Sequence, residues 1–395
     1  MYTSRIRGIH TIIHGPTSCA YMMCCNSDLG TIHRDLHGDK QSIWENVSCT
    51  DLNDSASVFG GIDSLEKLIR KRVELGDEHI FVISMCVPGI IGDNIIDCCS
   101  RMSSELGVTI IPVPVDGIGA GGVIDGRNFV IDKIMEFVEK TDEKDPNLIN
   151  ILGDYRSGRE FFTIFDKSVE DLLSAAGFTI NTIYPGKCTL DDIKKMGKAM
   201  YSVQSTDDYT FNRTYSSICD SIGSIRMKEP LPQGMKATER WLDEVSELTG
   251  RNLDPVKAQI RETYDSEIEK IKNRTSGRKV LVVTRPSGNY QWLFELFEDL
   301  NVEVMKTREL TYNRWVMGSD LSEGKEPYVS DMISADIDSL SPDLVLSDAP
   351  SDIHLKWRCR TIGGPHVGPA GIIDYAKRLG MMFDTPVEEE WRRIS

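Results

Sequence analysis

Ten cysteines, seven of them within the first 100 residues, are the side chains of this sequence best suited to metal chemistry. Soft thiolates are the protein ligands that iron–sulfur clusters prefer. The sequence contains no C-x-x-C pair, so neither a zinc ribbon nor a thioredoxin-type redox site is indicated. The crowding of cysteines near the N-terminus therefore predicts metal or iron–sulfur chemistry in the first third of the chain, under reducing conditions.

Two cysteines follow apolar, β-branched segments, and each stands beside a tight turn. Cys19 follows HTII and the turn HGPTS, and Cys86 follows FVIS and precedes Pro-Gly. Strand ends of one parallel sheet lie at one edge, so these two thiolates are expected to converge although they are distant in the chain. Cys49, in a predicted loop before a Gly-Gly turn, is a further candidate. Others are expected to pack as small apolar side chains: Cys24, Cys25, Cys98 and Cys99.

Other nucleotide or catalytic motifs are weak or absent. Gly117, Gly119 and Gly122 fit G-x-G-x-x-G, but no strand–helix–strand unit is centred on them, so a flexible loop is the favoured interpretation. The sequence has no G-x-x-x-x-G-K-[ST], so ATP binding by a P-loop is not indicated. It also has neither H-E-x-x-H nor G-x-S-x-G.

Composition and charge narrow the class of protein. Hydrophobic residues make up 40% of 395, and no apolar run approaches the ~18 residues of a membrane span. The short apolar stretch at the start is interrupted by His10, His14, Gly15 and Pro16, which makes a poor signal peptide. With 61 acidic and 45 basic residues the net charge is −16, which disfavours nucleic acid and anionic membranes. We therefore expect a soluble, cytoplasmic protein that binds neither nucleic acid nor membranes.

The periodicity of apolar residues predicts a repeated strand–helix–strand pattern. Predicted strands at 79–84 and 108–115 flank a helical segment at 90–106, and the pattern recurs twice. Such repeats indicate an α/β protein with three doubly wound, parallel-sheet, Rossmann-like domains and a central cleft, with ligands at the carboxyl ends of strands. The predicted domains are 1–145 with the cysteines, 146–275 with a helical bridge, and 276–395.

Three segments, IIHGPTSCAYM, TDLNDSASVFGGIDSLEKLI and VISMCVPGIIGDNI, occur in the order and spacing typical of the nitrogenase component 1 superfamily. The resemblance continues through VDGIGAGG, NILGDY, PLPQGMKATERWLDEV and GGPHVGPAGIIDYAKRL, and it covers nearly the whole chain. The superfamily includes subunits of the molybdenum–iron protein and its cofactor-assembly relatives. It also includes dark-operative protochlorophyllide reductase and the reductive cyclase of a nickel tetrapyrrole.

The resemblance implies an iron–sulfur cluster, 4Fe-4S or larger, at a subunit interface, ligated by cysteines that match Cys19 and Cys86. The family usually has a further ligand upstream of the Cys19 position, where this chain has no cysteine. Cys49 or the Cys24–Cys25 pair is one replacement. The alternatives are two copies that each contribute Cys19 and Cys86, or a different partner subunit that supplies the remaining ligands.

The resemblance also bears on the larger cofactor. Nitrogenase holds its molybdenum cofactor with a cysteine and a histidine, and the positions that match here are Ser205 and about Arg358. Neither is the ligand found in the family, so no molybdenum cofactor is expected in the standard site. Cys359 and His366 lie nearby in the sequence and are interpreted as structural residues or as residues that support another ligand.

By this resemblance, the chain is an oxidoreductase subunit of nitrogenase component 1 type. A separate, ATP-dependent iron protein would pass electrons through the interface cluster to a substrate in the cleft, with Asp207, Asp208 and His366 as candidate proton donors. Its partner would be a second copy or a second component 1-type subunit. Two alternatives remain: a scaffold that assembles a metallocofactor, and a cluster-free α/β binding protein.

Overall fold

A computed structural model describes residues 3–28, 43–53, 56–114, 123–153, 167–185, 188–206, 211–284, 289–309, 329–347 and 359–384. The chain forms two compact units. One consists of Met1–Phe165 and Gly177–Pro230, and the other of Asp166–Ala176 and Leu231–Ser395. Among the described residues, no helix has both the length and the apolar character that a membrane crossing requires.

The first unit begins with a four-stranded parallel sheet in the order β3-β2-β4-β5. After β1 (Ile6–Arg7), the strands are β2 (His10–His14), β3 (Val47–Cys49), β4 (His79–Ser84) and β5 (Thr109–Val113). The helices are α1 (Thr17–Asp28), α2 (Ala56–Phe59), α3 (Ile62–Glu74), α4 (Cys86–Ile91), α5 (Ile95–Leu106) and α6 (Val123–Met135). Apolar residues of α3 and α5 cover one face of this sheet, including Cys98 and Cys99, which are buried as predicted.

A second parallel sheet in the same unit has the order β10-β9-β6-β7. Its strands are β6 (Asp145–Leu152), β7 (Thr179–Tyr184), β9 (Ala199–Gln204) and β10 (Ile225–Arg226), with helices α8 (Leu190–Lys195) and α9 (Asn212–Ile222). The short strand β8 (Cys188–Thr189) pairs with β1. One apolar core contains Phe81 and Val113 of the first sheet together with Leu152 and Tyr184 of the second, so the two sheets of this unit share their packing.

The second unit contains a third parallel sheet in the order β12-β11-β13-β14. Its strands are β11 (Lys279–Thr284), β12 (Glu303–Glu309), β13 (Leu344–Ser347) and β14 (Cys359–Thr361). Its helices are α7 (Lys167–Ala175), α10 (Met235–Thr249), α11 (Asp254–Thr275), α12 (Gln291–Asp299), α13 (Val329–Leu340) and α14 (Gly368–Asp384). The rings of Trp292 and Tyr375 meet edge to face with centroids 4.9 Å apart in its core.

All three sheets have one topology. In each, the first strand in the chain lies between the second and the third, so the chain winds outward in one direction and then in the other. Where the winding reverses, the carboxyl ends of the two central strands border a crevice, which is the usual ligand site of open α/β sheets. These pairs are β2 and β4, β6 and β9, and β11 and β13. The predicted α/β fold with parallel sheets is confirmed, whereas the domain boundaries and the cleft stay predictions.

Buried histidines in the first sheet make stability depend on pH. His10 is 3% exposed, lies 2.8 Å from the Ser48 hydroxyl, and has its pKa lowered by burial to about 4. The unfolded chain therefore binds a proton that the folded chain does not as pH falls from 6.5 toward 4. We expect the free energy of unfolding to drop over this window, by on the order of 3 kcal/mol from His10 alone. Urea unfolding at about pH 7.5 and about pH 4 measures this drop.

The matched variant His10→Gln should lose the part of the pH dependence that comes from His10 while it keeps a side chain able to bond Ser48. Burial also lowers the pKa of His14 and His79, so the variant should retain a smaller dependence of the same sign. Equal slopes in the wild-type protein and the variant would contradict this assignment.

Candidate metal centre

Three cysteines lie at or just beyond the carboxyl ends of three neighbouring strands in the first sheet. Cys49 is the last residue of β3 and stands opposite Ile13 in β2. Cys86 opens α4 and is separated from the end of β4 by a single residue. Cys19 is the third residue of α1, which follows β2 after a short turn. The strand order β3-β2-β4 therefore brings all three chain segments to one edge, with Cys19 and Cys86 flanking the crevice of this sheet.

Two details of the sequence prediction are corrected by the structure. Cys49 was expected in a loop, but it ends a three-residue strand, because hydrogen bonding to β2 imposes an extended conformation that the local sequence does not signal. Cys19 was expected at a strand end, whereas it lies in the first turn of a helix. Both shifts keep the residues at the carboxyl edge of the sheet.

Exposure separates these three cysteines from the others whose side chains are described. Cys86 is exposed and Cys19 and Cys49 are partly exposed. Four others are buried, and burial raises the pKa of each thiol, to about 11 or 12: Cys98, Cys99, Cys188 and Cys219. A thiol held protonated inside an apolar core is a poor metal ligand, so among the cysteines whose side chains are described the ligand candidates are the three at the sheet edge.

The environment of Cys49 links it to Cys19. The Cys49 thiol lies 3.2 Å from the Gly15 carbonyl oxygen, to which it donates, and its sulfur accepts from the Asp51 backbone N–H at 3.4 Å. Burial raises the pKa of Cys49, and negative charge at Asp51 and Cys19 raises it further. Hydrogen bonds from the Asp51 backbone and from Thr17 lower the pKa and partly offset this effect. Thr17 lies two residues before Cys19, so its hydrogen bond to Cys49 connects the two segments that carry these cysteines.

Asp51 marks a strained turn beside these thiols. Its φ is +51°, a conformation that residues other than glycine adopt rarely and that clusters at functional sites. The Thr17 hydroxyl donates a hydrogen bond to the Asp51 carboxylate. Thr17 is the first residue of α1, so this bond ties the turn after β3 to the start of the helix that carries Cys19. The hydrogen bond from Thr17 therefore stabilises the strained conformation of Asp51 and also connects the segments of Cys19 and Cys49.

Within the described ranges, no cluster of three or more His, Cys, Asp or Glu side chains is arranged so that it could hold a metal ion. The candidate proton donors are divided: Asp207 and Asp208 lie outside the described residues, and His366 is partly exposed before α14 in the second unit. Arg358 also lies outside the described residues, and of Cys359 only its position as the first residue of β14 is described.

Ser205 occupies the crevice of the second sheet. It follows β9, is 1% exposed, and donates its backbone N–H to the Leu152 carbonyl at 2.6 Å. Its hydroxyl oxygen fills the space beside Gly153, where a Cβ would lie only 1.6 Å away. The serine is thus packed between the ends of β6 and β9.

Sequence reasoning missed a group of exposed apolar side chains around the cysteine edge. Val58 and Phe59 on α2 are 70% and 86% exposed, and Ile90 on α4 is 70% exposed. Helix α2 packs against α4, the helix that begins at Cys86. We call these three residues the apolar patch. The run VFGG could have indicated the patch, because two large apolar residues stand directly before a glycine turn. Few neighbouring residues of the chain can bury side chains in that position.

Doubly wound parallel sheets with a crevice at the carboxyl ends of their central strands define a ligand-binding class of α/β protein, and in the first sheet this edge carries accessible thiols. The family comparison is specific: the model of nitrogenase component 1 type oxidoreductases matches residues 1–381. The chain belongs to this family. The resemblance noted in the sequence motifs is therefore confirmed.

Individual relatives are distant but consistent. The chain is 24% identical over 305 residues to the nitrogenase iron-molybdenum cofactor biosynthesis protein NifE of Methanococcus maripaludis, covering 74% of this chain and 60% of that protein. It is 24% identical over 311 residues to the nitrogenase molybdenum-iron protein alpha chain of Methanosarcina barkeri, covering 76% and 56%. It thus spans less than two thirds of these relatives. A structure described as nitrogenase Cp1 at pH 5 matches with a TM-score of 0.68 at 16% identity, covering 100% of this chain and 89% of that one, which supports the fold.

Proposed function

We propose that this chain is a subunit of a component 1-type complex that binds an iron–sulfur cluster at the carboxyl edge of its first sheet. The ligands would be the thiolates of Cys19, Cys86 and Cys49, which share one edge of the sheet but are not gathered into a ready-made three-ligand site within the described ranges. One observation carries the proposal: of the seven cysteines with described side chains, the three that are not buried lie at or just after the ends of three adjacent strands. Thiolates suit iron–sulfur clusters, and a bound cluster would supply one-electron chemistry.

We infer that the role of the complex is assembly of a metallocofactor. Relatives similar to this chain, such as those of Methanococcus maripaludis and Clostridium pasteurianum, are described as iron-molybdenum cofactor biosynthesis proteins. Ser205 supports this role. The resemblance places a cofactor-binding cysteine at this position, and a buried hydroxyl is a harder and weaker ligand for a metallocluster than a thiolate. A scaffold that releases its cargo needs weaker attachment than an enzyme that retains its cofactor.

The apolar patch favours a second candidate, a reductase subunit. Large exposed apolar side chains beside a redox centre are typical of a protein docking surface. An ATP-dependent iron protein docked there would stand close to Cys86. The similarity to the alpha chain of the molybdenum-iron protein of Methanosarcina barkeri supports this candidate too. In either role, a second copy or a related subunit would supply the remaining ligands, as the exposure of Cys86 supports.

The experiment begins with anaerobic purification, counts of iron and acid-labile sulfide, and a native mass. Iron and sulfide together with a dimeric or heteromeric mass are expected. The loaded protein is then mixed with a cofactor-free component 1 protein, and separately with an iron protein and ATP. Activation of the recipient supports the assembly role, whereas ATP-dependent oxidation of the reductant supports the reductase role. A colourless protein without iron would exclude both roles and leave a cluster-free α/β binding protein.

A further inference from the structure

A buried polar pair lies directly beneath the cysteine edge. The Nε2 atom of His14 is 2.9 Å from the Oδ2 atom of Asp93, and the two side chains are 0% and 5% exposed. A histidine and a carboxylate removed from water cost free energy unless every polar atom finds a partner. The pair is therefore stable in this position only if hydrogen bonds satisfy both side chains.

Hydrogen bonds satisfy both members of the pair. The Nδ1 atom of His14 lies 3.1 Å from the Thr50 hydroxyl, and that hydroxyl accepts the Gly15 backbone N–H at 3.0 Å. The Asp93 carboxylate accepts the Gly61 N–H with both oxygens, at 3.1 and 2.9 Å. Burial lowers the pKa of His14, and the hydrogen bond and charge of Asp93 oppose this effect. An ionised carboxylate only accepts, so Nε2–H donates to Asp93, and Nδ1 and the Thr50 hydroxyl form the second hydrogen bond of the ring.

The partners belong to the three segments that carry the thiols. His14 ends β2, just ahead of the turn to Cys19, and Thr50 directly follows Cys49. Asp93 follows α4, the helix that begins at Cys86. Its backbone N–H donates to the Pro88 carbonyl at 3.0 Å, which anchors it to that helix. One buried network thus joins the three thiol-bearing segments, which are distant from one another in the chain.

Gly61 extends the network toward the apolar patch. A Cβ at this position would lie 2.9 Å from Cε1 of His14, 3.0 Å from Oδ2 of Asp93 and 2.5 Å from Cδ2 of Leu52. Glycine alone lets the backbone come near enough to donate to Asp93. Gly61 follows Phe59 by two residues, so its bond to the Asp93 carboxylate holds the end of α2. The backbone of the same aspartate is bonded to α4, so Asp93 connects the two helices.

We propose that His14, Asp93 and Thr50 are positioning residues of the metal centre. Their network sets the spacing of the turns that bear Cys19, Cys49 and Cys86 before any metal binds, although none of the three touches the metal. This inference rests on the proposed function. Loss of the network leaves the thiols present but loosens their arrangement, so iron binds more weakly and in a less uniform environment.

The test uses the full chain in its native complex and two matched pairs of variants. Thr50→Val removes the hydroxyl at constant shape, and Thr50→Ser keeps it. Asp93→Asn removes the charge and one acceptor, and Asp97→Asn makes the same change at an exposed site of α5. The readouts are the rate of iron release to a chelator without oxygen, the electron paramagnetic resonance spectrum of the reduced protein, and the melting temperature without iron.

Thr50→Val and Asp93→Asn should release iron faster and broaden the spectrum, with a loss of affinity of about 10- to 100-fold. Thr50→Ser and Asp97→Asn should behave as the wild-type protein does. Wild-type iron retention and spectrum in both Thr50→Val and Asp93→Asn would overturn the inference, as would equal effects of Thr50→Val and Thr50→Ser. If Asp93→Asn fails to fold, the Thr50 pair decides.

The same measurements separate this inference from the proposed function. A wild-type protein that binds iron through Cys19 and Cys86, but does not respond to the network variants, refutes only the positioning role. A wild-type protein that binds no iron refutes the proposed function, and the positioning role with it.

Discussion

Alanine at Cys86 is expected to remove nearly all bound iron and sulfide from the anaerobically purified protein. Cys86 is the exposed thiol at the crevice between β2 and β4, and loss of a thiolate ligand leaves the cluster with an open position. Cys19→Ala is expected to have the same effect from the other side of the crevice. Iron and sulfide counts per chain, with the visible absorption of the cluster, measure the loss.

The control is Cys98→Ala, which removes a buried thiol from the core between the first sheet and α5. It should lower stability by about 1–2 kcal/mol through the small cavity it leaves, but keep the full iron content. The variant Cys49→Ala reports whether Cys49 is the third thiolate. Full iron content in both Cys19→Ala and Cys86→Ala would contradict the assignment of the metal centre.

The second large effect is expected at Gly371 in the first turn of α14. A Cβ at this position would lie 2.0 Å from the carbonyl oxygen of His366, 2.3 Å from its carbonyl carbon and 2.7 Å from its Cα. These are backbone atoms, so no side-chain rotation relieves the overlap. Gly371→Ala should therefore displace the segment before α14 and cost roughly 3 kcal/mol, measured by urea or thermal unfolding of the apo protein.

Gly380 on the same helix provides the matched control. Its added Cβ would lie 3.5 Å from Cγ2 of Ile271 and 3.8 Å from Cδ of Arg274, which are ordinary contact distances. Gly380→Ala should raise stability by up to about 1 kcal/mol, because alanine favours the helix over the unfolded chain. The two substitutions are expected to change the free energy of unfolding in opposite directions. A loss of stability at Gly380 equal to that at Gly371 would show that helix flexibility, and not the overlap at His366, governs both.

Apolar periodicity predicted much of the fold because it is a local property. The strand at 79–84 was predicted with its observed bounds, and the helical pattern at 90–106 identified Cys98 and Cys99 as core residues. That segment took in the last two residues of α4, since the break at Gly92 is a left-handed turn that the pattern alone does not reveal. Strand β3 was missed because three residues are too few to show alternation.

The candidate site was predicted only as far as residue type and order along the chain allow. Cys19 and Cys86 could be singled out because both follow apolar runs and stand beside tight turns. The Asp93 carboxylate could not, because its partners His14 and Gly61 are 79 and 32 positions away and no local pattern links them. The apolar patch was passed over for a related reason: whether Phe59 is buried or exposed depends on packing that the sequence does not state.

The sequence by itself determined the family and the set of thiols that are candidate ligands. Residue type supplies the candidate thiols, periodicity predicts the α/β fold, and motifs in order identify the nitrogenase component 1 type. The tertiary structure decided which thiols share an edge. Strand order is a long-range property set by core packing, and it placed β3, β2 and β4 side by side, so that Cys49, Cys19 and Cys86 follow neighbouring strands above the His14–Asp93 pair.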